Sequence, residues 1–161
     1  MEFEETVSTT ASIDQCWAAL ENVTAYPRWT ASMSEVAPLD GPALRPGNRF
    51  RIRQPGLPTT VWRVREVTPG TSFAWDAHAP GVHTVAHHRV DSQSDGTNRI
   101  RIGIRQTGAL ARLVALLIGA RTHRYLRMEA AGLKAAAEAA GAAPVDGSAA
   151  PGDETAPTGG R

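Results

Sequence analysis

Residues 98–108 read NRIRIGIRQTG, and residues 109–140 follow without a break as ALARLVALLIGARTHRYLRMEAAGLKAAAEAA. In the first stretch Ile100, Ile102 and Ile104 alternate with Arg99, Arg101 and Arg105, the period of two expected of a half-buried strand. In the second, Leu110, Leu113, Val114, Leu117, Ile118, Tyr125, Met128 and Leu133 supply a broad apolar stripe at helical spacing. That stretch has no proline and is rich in Ala, Leu, Arg and Glu, all good helix formers. Gly108 stands at the change of period. A sheet that ends directly in one long helix is the feature on which the fold reading turns.

Working back from Gly108, the period of two persists to Met33. It predicts strands over 34–39, 48–54, 59–68, 72–78, 82–92 and 98–107. Between them lie Asp40-Gly41-Pro42, Pro55-Gly56, Pro69-Gly70, Pro80-Gly81 and Asp95-Gly96, each a turn signal. Strands spaced this closely and joined by short turns describe an antiparallel meander. Residues 3–9 predict one further strand. Ser12, followed three residues later by Gln15, predicts a capping box ahead of a helix whose Ile13, Cys16, Trp17 and Leu20 share a stripe. Residues 22–32, holding Tyr26-Pro27-Arg28-Trp29, predict a short second helix or tight turn with Pro27 near its start. The element order is β-α-α-β6-α, an α+β chain without internal repeats.

The chain has 161 residues, enough for one domain with a real core. A net charge of +1 excludes a generally polyanionic or polycationic binding mode. Residues 141–161 hold five Gly, three Pro and no aromatic, a composition expected to stay disordered. Setting them aside leaves a folded domain over 1–140 at +3 and an acidic tail at −2. One cysteine, Cys16, excludes an internal disulfide and any cysteine metal cluster. The opening MEFEET lacks the features of a secretory signal, and the apolar run 113–120 is far short of the roughly 20 residues a membrane span needs. A cytoplasmic location is the expectation.

The element order resembles the helix-grip fold of the START/Bet v 1-like (SRPBCC) superfamily. The residues that carry the resemblance are Tyr26-Pro27-Arg28-Trp29, Leu39-Asp40-Gly41, Pro46-Gly47, and Trp62-x-Val64-x-Glu66-Val67-x-Pro69-Gly70-x-x-Phe73-x-Trp75. Tyr125-Leu126-x-x-Glu129-Ala130-x-Gly132-Leu133-Lys134 belongs with them. Over about residues 3–138 the chain looks like the small actinobacterial proteins called polyketide cyclase/dehydrase-like. The resemblance implies a seven-stranded antiparallel sheet wrapped around the long C-terminal helix, with a cavity between them. It also implies a hydrophobic polyketide-like or aromatic ligand, held there and helped to cyclise or dehydrate by positioning and acid–base assistance. The alternative is a non-catalytic carrier or sensor of a lipid-like ligand. No cofactor is expected, and the oligomeric state is not legible.

Four Trp, three Phe and two Tyr are few, but most fall on elements that would line one space. Tyr26, Trp29, Phe50, Trp62, Phe73, Trp75 and Ile102 are the expected ligand contacts; the competing reading is that the aromatics pack a solid core. His88, if it faces the cavity beside Phe73 and Trp75, is the candidate proton-transfer group, with a hydrogen-bonded core histidine as the other reading. Tyr125 and Glu129 lie one helical turn apart and share a face. Either could orient or protonate a ligand carbonyl, while Glu129 could equally form a surface ion pair. Arg28 and Arg124 are weaker candidates for holding a carboxylate or phenolate. Cys16, on the apolar stripe, is expected to be buried and inert.

On the outer sheet face, Arg49, Arg51, Arg53, Arg99, Arg101 and Arg105 oppose Phe50, Ile52 and the three isoleucines. Arg63 and Arg65 join them unless a bulge near Trp62–Val67 swaps the faces. Such a face would suit an acidic partner such as an acyl carrier protein, with Glu2, Glu4 and Asp76 offsetting it only in part. Nucleic acid is not expected, because no aromatics interleave these arginines. No metal site is expected either. His83 and His87 stand about 13 Å apart along one strand, and His78 with His83 offers only two imidazoles.

Overall fold

The computed structural model describes residues 1–142 and shows the element order expected. Strand β1 spans Glu2–Thr9, helix α1 Ile13–Glu21, and a 3-10 helix Val23–Arg28. Strands β2 to β7 follow at Glu35–Pro38, Arg49–Arg53, Thr60–Thr68, Ser72–Ala79, Val82–Ser92 and Asn98–Thr107, and helix α2 occupies Ala111–Ala142. The seven strands form one antiparallel sheet in the order β1-β7-β6-β5-β4-β3-β2. After β1 the two helical segments carry the chain to the far edge of the sheet, and the meander then returns strand by strand until β7 pairs with β1. This is the helix-grip fold, with α2 packed against β1, β7 and α1.

Local chemistry explains the starts and stops. Ser12 Oγ accepts from the Gln15 N–H at 3.2 Å while Gln15 Oε1 accepts from the Ser12 N–H at 2.8 Å, so the capping box is formed. The segment with Pro27 is a 3-10 helix rather than an α-helix, and Pro27 lies near its end rather than its start. Helix α2 begins two residues later than the sequence pattern indicates. Gly108 takes φ +111, which a side chain would oppose, and a Cβ there would stand 2.4 Å from the Gly81 carbonyl oxygen. That close approach lets the Leu110 N–H donate to the same oxygen at 3.0 Å. The start of α2 is thereby tied to the β5–β6 turn. At its other end α2 includes residues 141 and 142, inside the stretch expected to be disordered; the remainder of that stretch lies outside the described residues.

A bulge, which the mixed faces of this strand leave open, is present between Val64 and Glu66 on β4. Trp62 and Val64 face inward before it. Arg65 and Glu66 are both exposed, and Val67 turns back to the core. Glu66 therefore belongs to the outer face, contrary to strict alternation, and Val67 to the inner one.

The apolar stripe of α2 needs a larger correction. Buried positions are Ala111, Ala115, Gly119, Leu126, Glu129, Ala130, Gly132, Leu133 and Ala137, whereas Leu110, Leu113 and Leu117 are exposed. The physical reason is the narrow approach of the helix to the sheet. Phe3 on β1 lies against Gly119, where an added Cβ would stand 3.3 Å from its ring. Small residues fit that seam, and the leucines are displaced to its flank. In the C-terminal half Leu126 and Leu133 fill the core beneath the sheet. Around the first half of α2 the space on the other side of the seam stays open.

Candidate functional site

That space is a cavity of about 460 Å³ between the sheet and α2, within the size range of small-molecule sites. Its deep end is walled by Trp75, His88, Ile102, Leu126 and Glu129, all buried. Gly56 and Pro58 of the β3–β4 loop, Pro80 of the β5–β6 turn and Leu117 of α2 stand on its wall while exposed to solvent. The cavity thus runs from a buried floor to a rim built by two turns and one helix face.

His88 and Glu129 meet at the floor. His88 Nε2 lies 2.8 Å from Glu129 Oε1, and the two side chains are 2% and 7% exposed. Strand β6 points His88 inward because Thr84, Ala86, His88 and Val90 share one face, as the alternation indicates. The imidazole is fixed from two further sides. Phe73 stacks on it at 4.3 Å with planes 5° apart, and Trp75 stands edge-on at 5.7 Å. With Glu129 as carboxylate, Nε2 is the donor in this pair. The remaining ring nitrogen, Nδ1, is buried without a hydrogen-bond partner. Gln106 Oε1, also on a cavity-wall residue, is the other buried side-chain polar atom left without one among the described residues. Gln106 pairs across the ladder with Thr84, four residues from His88, so the two orphan groups stand about 13 Å apart along the strand. Both atoms belong to residues of the cavity wall and are themselves covered, so a bound molecule can satisfy them once a small side-chain shift exposes them. Sequence alternation put Gln106 on the inner face with the isoleucines, which was the signal that could have marked it.

Of the expected ligand contacts, Trp62, Trp75 and Ile102 line the cavity, and Tyr26, Trp29, Phe50 and Phe73 do not. Tyr26 is fully buried and donates its hydroxyl to the Leu20 carbonyl at 2.8 Å. Burial, with the charge of Glu129 adding to it, raises its phenol well above the ordinary tyrosine range, so its proton stays in that bond. Trp29 packs on Tyr26 at 4.4 Å and on Gly132 of α2. Phe50 packs against Trp75, and Phe73 lies behind the His88 ring. These aromatics form a solid layer behind the wall, because inward-facing residues at the closed end have no empty space left to face.

Tyr125 and Glu129 both reach the cavity, at different depths. Glu129 is buried and not a surface ion-pair partner, whereas the Tyr125 hydroxyl donates to the Pro55 carbonyl in the β3–β4 loop. Arg121 bonds the next carbonyl of that loop, Gly56, so two α2 side chains hold the loop at the rim. Arg28 and Arg124 are exposed and off the wall. Cys16 is buried in α1; burial, then the charge of Glu138, pushes its thiol up to about 11, leaving it an inert thiol at neutral pH.

The outer arginines point to solvent as expected, but more acids meet them than the strand pattern indicates. Asp40 binds Arg49 at 2.8 Å, Glu35 serves both Arg51 and Arg53, and Asp76 lies 3.9 Å from Arg65. Arg101 has Glu4 and Asp91, and Arg105 has Glu2. Arg49 holds the Asp40 carboxyl below its ordinary value through a direct hydrogen bond. The face is a lattice of alternating charge, with Glu35 on the neighbouring edge strand and Asp40 in the connection after it.

No curated protein matches the chain in sequence. Solved structures match it in fold. A hypothetical protein, jhp0584, of Helicobacter pylori superposes with TM-score 0.69 at 17% identity, over 83% of this chain and 84% of that one. The Zhui aromatase/cyclase from Streptomyces sp. R1128 gives 0.66 at 16%, over 86% and 93%. The Aha1 dimer protein from Colwellia psychrerythraea gives 0.65 at 13%, over 86% and 96%. Identities this low speak to the fold alone. No described helix is long and apolar enough to cross a membrane. The sequence profile of the family described as "Polyketide cyclase / dehydrase and lipid transport" covers residues 1–138, and the chain belongs to that family within the helix-grip SRPBCC superfamily.

Proposed function

We propose that the chain binds a polyketide-like or aromatic molecule in its cavity and promotes a cyclisation with loss of water, His88 being the proton-transfer group. The observation that carries this reading is the buried His88–Glu129 pair on the wall of a mainly apolar cavity, with His88 Nδ1 unpartnered. A carboxylate that accepts the Nε2 proton fixes the tautomer and leaves the Nδ1 lone pair free. That nitrogen takes a proton from an activated methylene of a bound poly-carbonyl chain. The carbanion attacks a second carbonyl, and the same imidazolium returns the proton to the new alkoxide. A second proton removal and return expels the hydroxyl as water. Trp62, Trp75 and Ile102 hold the chain folded, so positioning contributes most of the acceleration. Gln106 offers its carbonyl oxygen to a ligand hydroxyl, and Tyr125 secures the loop over the mouth.

The carrier reading uses the same cavity and is favoured by its apolar wall. An acyl carrier protein delivering the chain remains the proposed partner, on whatever net positive charge the outer face retains. Fluorescence of Trp62 and Trp75 reports binding of aromatic polyols, and product formation on poly-β-ketone mimics reports chemistry. Loss of turnover in His88→Ala with binding intact supports catalysis. Binding without turnover on any mimic by the unaltered protein overturns it in favour of the carrier.

A further inference from the structure

On the opposite face of the sheet, away from the His88–Glu129 pair, three side chains with metal-binding atoms converge. Asp76 and His78 are two apart on β5 and point outward together, and His83 on β6 pairs directly with His78 across the ladder. One ligand-capable atom from each lies within 4.8 Å of those from the other two. His83 Nε2 is 3.0 Å from Asp76 Oδ2, and the two imidazoles stack at 4.2 Å with planes 16° apart. We propose that Asp76, His78 and His83 bind one divalent transition-metal ion of the Zn2+ type.

The geometry is close to what such an ion needs. Metal–nitrogen and metal–oxygen distances of about 2.0–2.2 Å place ligand atoms roughly 3.3 Å apart in a tetrahedron. The His83–Asp76 edge already has nearly that length. The third ligand needs only rotamer adjustment, because His78 is exposed and its backbone is pinned by the ladder. Two imidazoles and one carboxylate select Zn2+, Co2+, Ni2+ or Cu2+ over Ca2+ and Mg2+, which prefer all-oxygen shells. A shallow cleft over Asp76, His78 and His83, bordered by Pro46, Gly47 and Arg63, leaves room for water at a fourth position.

Two further features bear on the site. The β4 bulge lies beside it, one ladder pair along from Arg63–Asp76, and bulges gather next to sites where a side chain must be re-aimed. It presents Arg65, whose guanidinium lies 3.9 Å from Asp76 Oδ2 with half of the side chain exposed. Arg65 is the competing cation, and an incoming metal displaces it toward solvent. Along the end of β5 and the turn after it, His78, Ala79 and Pro80 also border the cavity rim. An ion here therefore braces the hairpin that forms one side of the cavity mouth.

The test is calorimetric titration of ZnCl2 into chelator-treated full-length protein, with Co2+ visible absorption as a second readout of tetrahedral binding. The expected result is one ion per chain. Asp76→Asn and His83→Ala should each weaken binding at least tenfold and remove the Co2+ bands. His87→Ala and His123→Ala, which alter the separate His87–Glu4 and His123–Glu5 pairs, should leave both unchanged. Arg65→Gln should tighten binding severalfold, which no purely structural role for Asp76 would produce. All five positions are outside the buried core, and thermal melts with chelator check that each variant folds. Absence of saturable binding, or a single equivalent that survives the combined Asp76→Asn and His83→Ala change, overturns the proposal.

Discussion

Replacing Gly132 by Ala sets two physical effects of opposite sign against each other. Alanine is the better helix former, and in the interior of α2 the exchange should stabilise by about 0.8–1 kcal/mol on propensity alone. The structure reverses the sign. A Cβ at Gly132 would stand 2.3 Å from the Trp29 carbonyl oxygen and 2.9 Å from its ring. Side-chain carbons essentially never approach closer than 3.0 Å, so the helix or the Trp29 segment must retreat by at least 0.7 Å. The obstacle is backbone and cannot rotate away. Trp29 caps the 3-10 helix through its N–H to the Tyr26 carbonyl, which couples the clash to a buried segment. Overpacking costs about 1–3 kcal/mol, and a clash with backbone belongs in the upper half of that range, about 2–3 kcal/mol, leaving a net loss of about 1–2 kcal/mol after the propensity gain. Urea unfolding should show that loss, with Tm lower by about 2–8 °C. Glu129 lies three residues before Gly132, so the same retreat should loosen its 2.8 Å bond to His88 and weaken ligand binding. Gly141→Ala is the control, since its Cβ would meet only the Gln15 amide, the end of a flexible side chain. A Gly132→Ala protein as stable as the parent, or more stable, would refute the reasoning.

Two other expectations concern stability and reactivity. Glu138 has its carboxyl held below the ordinary glutamate value, chiefly by the Thr9 hydroxyl, against a smaller upward push from burial. A depressed folded value means stability that is present above the unfolded value and lost as pH falls through the folded one. Thr9→Val should therefore cost most near neutral pH, with the gap in Tm to the parent narrowing below about pH 4; a gap that widens on acidification would contradict this assignment. Cys16, buried and raised to about 11, should resist alkylation at pH 7 until the domain unfolds. Labelling rates that rise with denaturant in step with global unfolding are expected, and fast labelling of the native protein would place the thiol elsewhere.

Much of the fold was legible because it rests on interactions between near neighbours. Alternation of Ile100, Ile102 and Ile104 with arginines assigns faces within a few residues, and the Ser12–Gln15 box needs only one turn of helix. The same locality explains the failures. Periodicity along α2 marks Leu113 and Leu117 as apolar but cannot say that the seam is too narrow for them. Glu66 and Val67 follow the rule until a bulge shifts the ladder by one residue. His88 and Glu129 were separately visible as candidates, 41 residues apart; their 2.8 Å bond requires the helix to lie across β6 at one axial position.

The sequence by itself determined the elements, their order, the inward faces of most strands and the family, because these depend on period, turn residues and motifs. Tertiary structure alone decided which aromatics line the cavity and which pack behind it, which acids neutralise the outer arginines, and that Asp76 joins His78 and His83. Each of those outcomes depends on register between strands or on the seating of α2. Both are set by packing between segments far apart in the chain, and no local pattern encodes the distance between them.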